Sequence, residues 1–408
     1  MGLSRLLDWK RRPGQPTYER DRVGDVQRWD ERDVVFARAD LHRRYGIDSD
    51  EAREYYARHP EHLDFDTYIG ENYGLGSTAG TDAPMHRVPF AAAMHLASES
   101  AVDGEPAPDR VEMTPERAAA KVKAFARMMG ADLVATGPLR QEWVYSRIGR
   151  AFGPDGDRAE RGAEVDISHH TNAISLGLQM DYRLIQSAPD FPTIVATAEG
   201  YGRGAWVAVN VAEFIRRLGY SARAHHVYNY RVISVPVAVD CGLGELSRAG
   251  FLITKELGLG LRLSTVTTDM PIAHNGPVDI GVQSFCERCK LCATTCPSGA
   301  IPTGPKTEYN GVLKWKLDEE KCYRFWQAVG TDCSLCMVNC PWTKPPTAIH
   351  KLMATIAGIP GPHQSFMVWA DRVFYHRGRP WARPDYMEPR GAPSGRTEQR
   401  RDGEENGS

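Results

Sequence analysis

Two cysteine runs constrain this chain of 408 residues more than any other feature. The first, CERCKLCATTCP (286–297), places Cys286, Cys289, Cys292 and Cys296 with two, two and three residues between them and Pro297 behind. Bacterial iron–sulfur proteins hold a cluster with that spacing. The second, CYRFWQAVGTDCSLCMVNCP (322–341), supplies Cys322, Cys333, Cys336 and Cys340, followed by Pro341. Eight of the nine cysteines lie in these runs, and Cys241 stands apart. Clustered cysteines of this kind point to metal over disulfides. Thiolates are soft, anionic donors that suit iron in a sulfide cage. Two tetrahedral zinc sites would also use eight cysteines, but zinc hooks come as paired C-x₂-C and do not call for this run. In two-cluster ferredoxins the fourth cysteine of each run ligates the other cluster. By that logic Cys286, Cys289, Cys292 and Cys340 form one ligand set. Cys333, Cys336, Cys296 and Cys322 form the other, with Cys322 replacing the missing first cysteine of the second run.

Such clusters move electrons, at potentials that reach about −400 mV, but they transform no substrate. The rest of the chain must say where the electrons go, and it is long enough for a large core or two domains. Its composition is that of a globular protein, 42% hydrophobic and 25% charged. A net charge of −2 suggests no general affinity for nucleic acid or an anionic membrane. No apolar run approaches the ~20 residues of a membrane helix. Arg11 and Arg12 are followed by Pro13, Gly14 and Gln15, where an export signal would place its apolar region. A cytoplasmic protein is therefore expected.

Mixed elements precede the cysteines. RWDERDVVFARADLHRRYG (28–46) reads as a short helix stopped by Gly46, and 98–113 as a linker or surface loop. Thr114, Pro115 and Glu116 open a helix that Gly130 closes. ADLVATG (131–137) reads as a strand, and a charged loop (150–163) leads to two more, EVDIS (164–168) and NAISLGLQM (172–180). AWVAVNVAEFIRRLG (205–219) carries Val207, Val211, Phe214, Ile215 and Leu218 on one helical face. VISVPVAVD (232–240) and LRLSTVTTD (261–269) read as strands around the glycine-rich 241–250. The expectation is α+β: an N-terminal region (1–113) packing on a core (114–280), a two-cluster ferredoxin-like domain (281–345), a C-terminal segment returning to the core (346–388), and a disordered tail (389–408).

One set of segments resembles a family. EFIRRLGYSARAH (213–225), VAVDCGLGELSRAGFLITKELG (237–258) and LRLSTVTTDMPI (261–272), followed by the two cysteine runs, resemble the corrinoid-dependent reductive dehalogenases. RWDERDVVFARADL (28–41) and WADRVFYHRGRP (369–380) look like that family's outer segments, so the likeness covers most of 25–385. It implies a nitroreductase-like α/β core that binds a cobamide with its lower base displaced, and two [4Fe–4S] clusters. The implied substrate is an organohalide, an aryl halide being the expected class, which loses halide and gains a proton. An external low-potential donor of the ferredoxin or flavodoxin type is expected, with neither nucleic acid nor membrane as partner. By the family's order and spacing Tyr201 is the proton donor, Arg262 its basic partner and Asn229 the polar residue between them. A tyrosine, with an ordinary pKa near 10, serves as an acid when a cation stabilises its phenolate. The plainer readings are a helix-start aromatic, a surface ion pair and a turn residue. Gly242, Gly244 and Gly250 are expected to let backbone approach the nucleotide tail of the cobamide; the plainer reading is a strand–helix turn. Arg324 is a weaker candidate for the pocket, and Trp206, Trp326 and Tyr145 are candidates to line it. Cys241 and Ser247 stand where the family often has alanine and glycine, and Cys241 is expected to be a small buried residue. The chain carries no D-x-H-x-x-G run to supply a cobalt-ligating histidine, and His169–His170 and His225–His226 are expected at strand ends.

Two other functions compete. Epoxyqueuosine reductases share such a core and cluster domain but act on tRNA and use an aspartate as acid; the charge of −2 and the tyrosine argue against them. A non-catalytic electron carrier would bind iron and no cobalt, and would leave the long upstream region unexplained.

Overall fold

Alternating side chains build the centre of the molecule. In the computed structural model, strands β1 (Leu133–Pro138), β2 (Asn172–Gln179), β3 (Ala222–His225) and β4 (Leu261–Thr268) form one sheet in the order β1–β2–β4–β3. Every pairing is antiparallel. Along β2, Ile174, Leu176 and Leu178 face one side, while Ala173 faces the other, as the period of a strand requires. Both sides are covered, so β2 is buried along nearly its whole length.

Helices α1 (Val35–Tyr45), α2 (Pro84–His95), α3 (Pro115–Met128), α4 (Pro192–Arg217), α5 (Ser234–Asp240), α6 (Val282–Cys289) and α7 (Glu319–Val329) supply the other layers. The caps of α3 are those read from sequence: the Thr114 side chain accepts the Arg117 N–H, and Pro115 occupies the first turn. Gly46 stops α1 at φ 84°, in the left-handed region. Val207, Val211 and Ile215 of α4 and Val122 of α3 pack on the Ile174 side of the sheet. Trp143, Val144 and α5 cover the opposite side. A further core joins Met180, Leu184 and Ile253 to Phe285 and Trp342, so the cysteine region packs continuously against the sheet layer.

The structure describes residues 12–150, 160–345, 347–375 and 381–388. The tail expected at 389–408 lies outside them, as do residues 1–11, most of the loop 150–163 and the end of the segment 369–380. Among the described residues no helix is long and apolar enough to cross a membrane.

Four expectations differ from the structure: the stretch 98–113, read as a linker or surface loop, begins with the short helix Glu99–Val102, whose Val102 is fully buried. VISVPVAVD is not a strand: its residues 234–240 are α5, buried through Val237, Ala238 and Val239. Pro236 lies in the first turn, where its missing N–H is not needed, and tertiary burial overrides the β-propensity of the valines. EVDIS makes only the isolated bridge Arg147–Glu164, because the Asp166 carboxylate accepts the Ser168 N–H at 2.9 Å and turns the chain. Finally, α4 begins thirteen residues before Ala205, at Pro192. Gly200, Gly202 and Gly204 weaken its helical signature.

Candidate active site

The cysteines separate into two quartets. Cys286, Cys289, Cys292 and Cys340 line one small cavity with Phe285 and Trp342. Cys296, Cys322, Cys333 and Cys336 line the wall of a second, much larger one. Local backbone explains how each C-x₂-C segment wraps. Lys290 (φ 52°) and Ser334 (φ 54°) hold left-handed conformations just before the short helices Leu291–Thr294 and Leu335–Val338, so the two segments share a turn from these residues on, while Cys289 ends a helix and Cys333 (φ 54°) is itself left-handed. In that register Cys286 corresponds to Gly330, which ends α7 at φ 74°. Cys322 reaches the second quartet from within α7 instead. Burial, then the neighbouring thiols, pushes Cys322 up to about 12. Four cysteines gathered on one cavity wall suit a thiolate-ligated iron–sulfur cluster.

The larger cavity has a volume of about 770 Å³. Its walls come from α1, α2, α4, β4 and the second quartet, with aromatic side chains that include Phe36, Tyr73, Phe90, Tyr145, Tyr228, Phe251 and Trp326. A large, flat, apolar-faced cofactor suits such a space. One buried polar atom of a lining residue, Arg262 Nε, has no hydrogen-bond partner in the protein. It is a donor left for a bound group.

Tyr201 and Arg262 both line this cavity. Their meeting follows from the small residues around them. A side chain at Gly200 would come within 3.0 Å of Arg262 Cγ, and one at Gly204 within 2.6 Å of Ser264 Oγ, so these glycines let α4 lie close on β4. The Arg262 guanidinium then sits 5.2 Å from the centre of the Tyr201 ring. It donates to Asp332 Oδ2 at 2.9 Å and also to Thr197, whose hydroxyl donates to Asp332. Asp332 immediately precedes Cys333, so one buried network joins the tyrosine's partner to the loop of the second quartet.

The other candidates fall elsewhere. Asn229 does not line the cavity: it is fully buried, donates to Ala97 O and Glu99 Oε1 (2.9 Å each) and accepts from Arg223 at 3.0 Å. Its neighbours Tyr228 and Tyr230 line the cavity instead, with Tyr228 held at φ 79°. A non-glycine residue in that region carries backbone strain of about 1–3 kcal/mol. Burial pushes Tyr228 up to about 12 against the opposing pull of Arg150, and pushes Tyr145 and Tyr230 higher still.

The three glycines do not open onto the cavity either. A side chain at Gly242 would meet Gly276 O at 2.0 Å, and one at Gly244 would meet Ile253 O at 2.0 Å, so both glycines allow a close approach of protein backbone. Gly250 faces Leu317 Cβ at 3.3 Å. Trp206 is 52% exposed on the outside of α4, and the exposed Arg324 stacks on Tyr68 at 4.2 Å. Cys241 is buried in the core. His170 and His225 are buried at the ends of β2 and β3, each bonded to the Thr267 hydroxyl. Sequence reasoning missed Phe36, Tyr73, Phe90 and Arg150, which come from segments without periodicity.

Comparison with known proteins follows from this geometry. Residues 285–344 match the family model of a 4Fe-4S dicluster domain. The tetrachloroethene reductive dehalogenase of Sulfurospirillum multivorans is 35% identical over 256 residues, which are 56% of this chain and 51% of that protein. The catabolic reductive dehalogenase NpRdhA superposes with a TM-score of 0.72 at 26% identity, covering 91% of this chain and 50% of that one. It has also been solved with 3-bromo-4-hydroxybenzoic acid (TM-score 0.71). A reductive dehalogenase whose structure is described in terms of B12-dependent dehalogenation superposes with a TM-score of 0.68 at 27% identity, over 91% of this chain and 49% of that one. The chain thus spans about half the length of the relatives it matches.

Proposed function

We propose, from a chain homologous to the corrinoid-dependent reductive dehalogenases in sequence and in fold, that this protein removes halide from an organohalide. The observation that carries the reading is the shared cavity: a cysteine quartet forms one part of its wall and Tyr201 with Arg262 another. Electrons and a proton are thereby delivered to one enclosed space. The net reaction replaces a carbon–halogen bond with carbon–hydrogen, consuming two electrons and one proton and releasing halide. A cobamide, when bound, supplies the low-valent cobalt at which the carbon–halogen bond is broken. The walls around Phe36, Tyr145, Tyr228 and Trp326 would hold it, with Arg262 Nε as an unpaired polar contact.

The protein's own residues then have separate tasks. Cys296, Cys322, Cys333 and Cys336 would hold the cluster facing the cavity, and Cys286, Cys289, Cys292 and Cys340 the one behind it, which would pass its electrons to the cavity-facing cluster. Tyr201 donates the proton. Arg262, a cation over its ring, stabilises the negative charge that develops as the proton leaves. Tyr145, Tyr228 and Tyr230 serve less well, because burial resists their ionisation. Asn229 positions the Tyr228–Tyr230 turn against the 97–99 segment. The aromatic lining favours an aryl halide, in keeping with the brominated hydroxybenzoate held by NpRdhA. An external low-potential donor of the ferredoxin or flavodoxin type would supply the electrons.

The test is halide release by the anaerobic, cobalamin-loaded protein with a reduced viologen. Aryl bromides should release bromide, and Tyr201→Phe should lower the rate about 10²–10⁴-fold with iron content unchanged. Full activity in that variant would remove Tyr201 from the reaction.

A further inference from the structure

Away from the cavity, His59-Pro60-Glu61-His62 forms one 3₁₀ turn, Pro60–His62, ahead of the helix Leu63–Glu71. Side chains three apart eclipse one another in such a turn. His59 and His62 accordingly share a side, with ring centroids 6.0 Å apart and planes inclined by 21°. Glu61 stands between them, its Oε1 3.6 Å from His59 Nδ1 and 3.8 Å from His62 Nε2. Both separations exceed a hydrogen bond. They approach the spacing of donors around a bound ion, since bonds of about 2.1 Å to tetrahedral zinc place neighbouring donors about 3.4 Å apart. The three donor atoms all lie within 4.8 Å of one another. Two imidazoles and a carboxylate suit zinc and the neighbouring late transition metals.

The surroundings are built for the same purpose. A metal-bound histidine usually gives its second ring N–H to a carboxylate, which fixes its tautomer and orientation. His62 Nδ1 lies 3.3 Å from Glu320 Oε1. Glu320 in turn accepts from Arg38 Nη2 at 2.6 Å, and Arg38 is 1% exposed. A buried guanidinium thus anchors the carboxylate that orients His62. The His59 ring stacks on Tyr55 at 4.8 Å. A groove of about 480 Å³ opens beside the three donors, with Asp33, Asp318 and Glu319 in its walls together with Lys316, and leaves room for water at the remaining position.

We propose that His59, Glu61 and His62 form a divalent-cation site of the zinc class, with Glu320 as the residue that orients His62. Glu320 belongs to α7, two residues before Cys322. A filled site therefore fastens the 50–71 helices to the helix that carries a cluster cysteine. The proposal does not rest on the dehalogenase reading.

The test is anaerobic equilibrium dialysis of the iron-loaded protein against micromolar Zn²⁺, with zinc and iron counted in the same sample. One zinc per chain is expected with no loss of iron. The double variant His59→Gln/His62→Gln should lose it, and Glu320→Gln should weaken it about 10–100-fold. Iron content reports folding; if the double variant fails to retain iron, Glu61→Gln, which keeps shape and removes the charged donor, decides the matter by losing zinc with iron intact. Absence of zinc in the parent, equal binding by the variants, or zinc uptake matched by iron loss would each overturn the site.

Discussion

Asp332 concentrates the chemistry of the site in a single residue. Its carboxylate is 4% exposed, pairs with Arg262 at 2.9 Å and precedes Cys333 in the chain. The family resemblance pointed to Arg262 and the cysteine spacing to Cys333, but neither gave a reason to connect them, because Arg262 meets Asp332, seventy positions on, only through the fold. The contact has a measurable consequence. Asp332→Asn keeps an acceptor for Arg262 and removes one negative charge beside the cluster facing the cavity. Its potential should rise by on the order of tens of millivolts, since lower negative charge favours the reduced cluster. Redox titration followed by EPR measures this, and an unchanged potential would place the quartet's electrostatics elsewhere. The same logic explains the failure at Asn229. The family resemblance suggested a site residue, but its three hydrogen bonds to Ala97, Glu99 and Arg223 use its polarity inside the protein.

Elements were legible where a local rule acts alone. The cap at Thr114, the stops at Gly46 and Gly130, and the strand-forming runs of β2 and β4 need no tertiary information. The first half of α4 and all of α5 needed it, because glycines in one and β-branched residues in the other oppose helix and packing prevails. Gly244 shows the same priority of packing over cofactor contact. With Ile253 O only 2.0 Å from a built Cβ, Gly244→Ala should destabilise the corrinoid-free protein by about 1–3 kcal/mol. A denaturant midpoint unchanged without cobalamin and lowered only with it would favour the phosphate role instead. The start of β2 offers a pH test. His170 is 1% exposed between the hydroxyls of Thr267 and Ser221, and burial lowers it to about 4. Its unfolded value is about 6.5, so the neutral ring's contribution is complete above that pH and is lost as pH falls toward 4. The stability difference between the parent and His170→Gln should therefore shrink by at most about 1.4 kcal/mol per pH unit below about 6.5. A difference independent of pH would mean that the ring takes up its proton as readily in the fold as in the unfolded chain.

At the scale of the whole molecule, the cavity is assembled from parts with little in common in sequence. Phe36, Tyr73 and Phe90 come from the N-terminal region, Tyr201 and Arg262 from α4 and β4, and the cysteines from the C-terminal runs. Residues that line a cavity need no periodic apolar face, which is why the aromatics of the first hundred residues gave no signal, although a helix was legible at 28–46. The cysteines were legible because metal ligation fixes spacing directly. Their division into two quartets, one facing the aromatic cavity, turns two motifs into a route for electrons. The central claim is that this route ends at a corrinoid. Anaerobic reconstitution with iron, sulfide and cobalamin, followed by counting both metals, tests it most directly. The account predicts about eight irons per chain together with one tightly held cobalamin, whose retention weakens when Arg262 is replaced. A protein that takes up the iron and retains no cobalamin would contradict it.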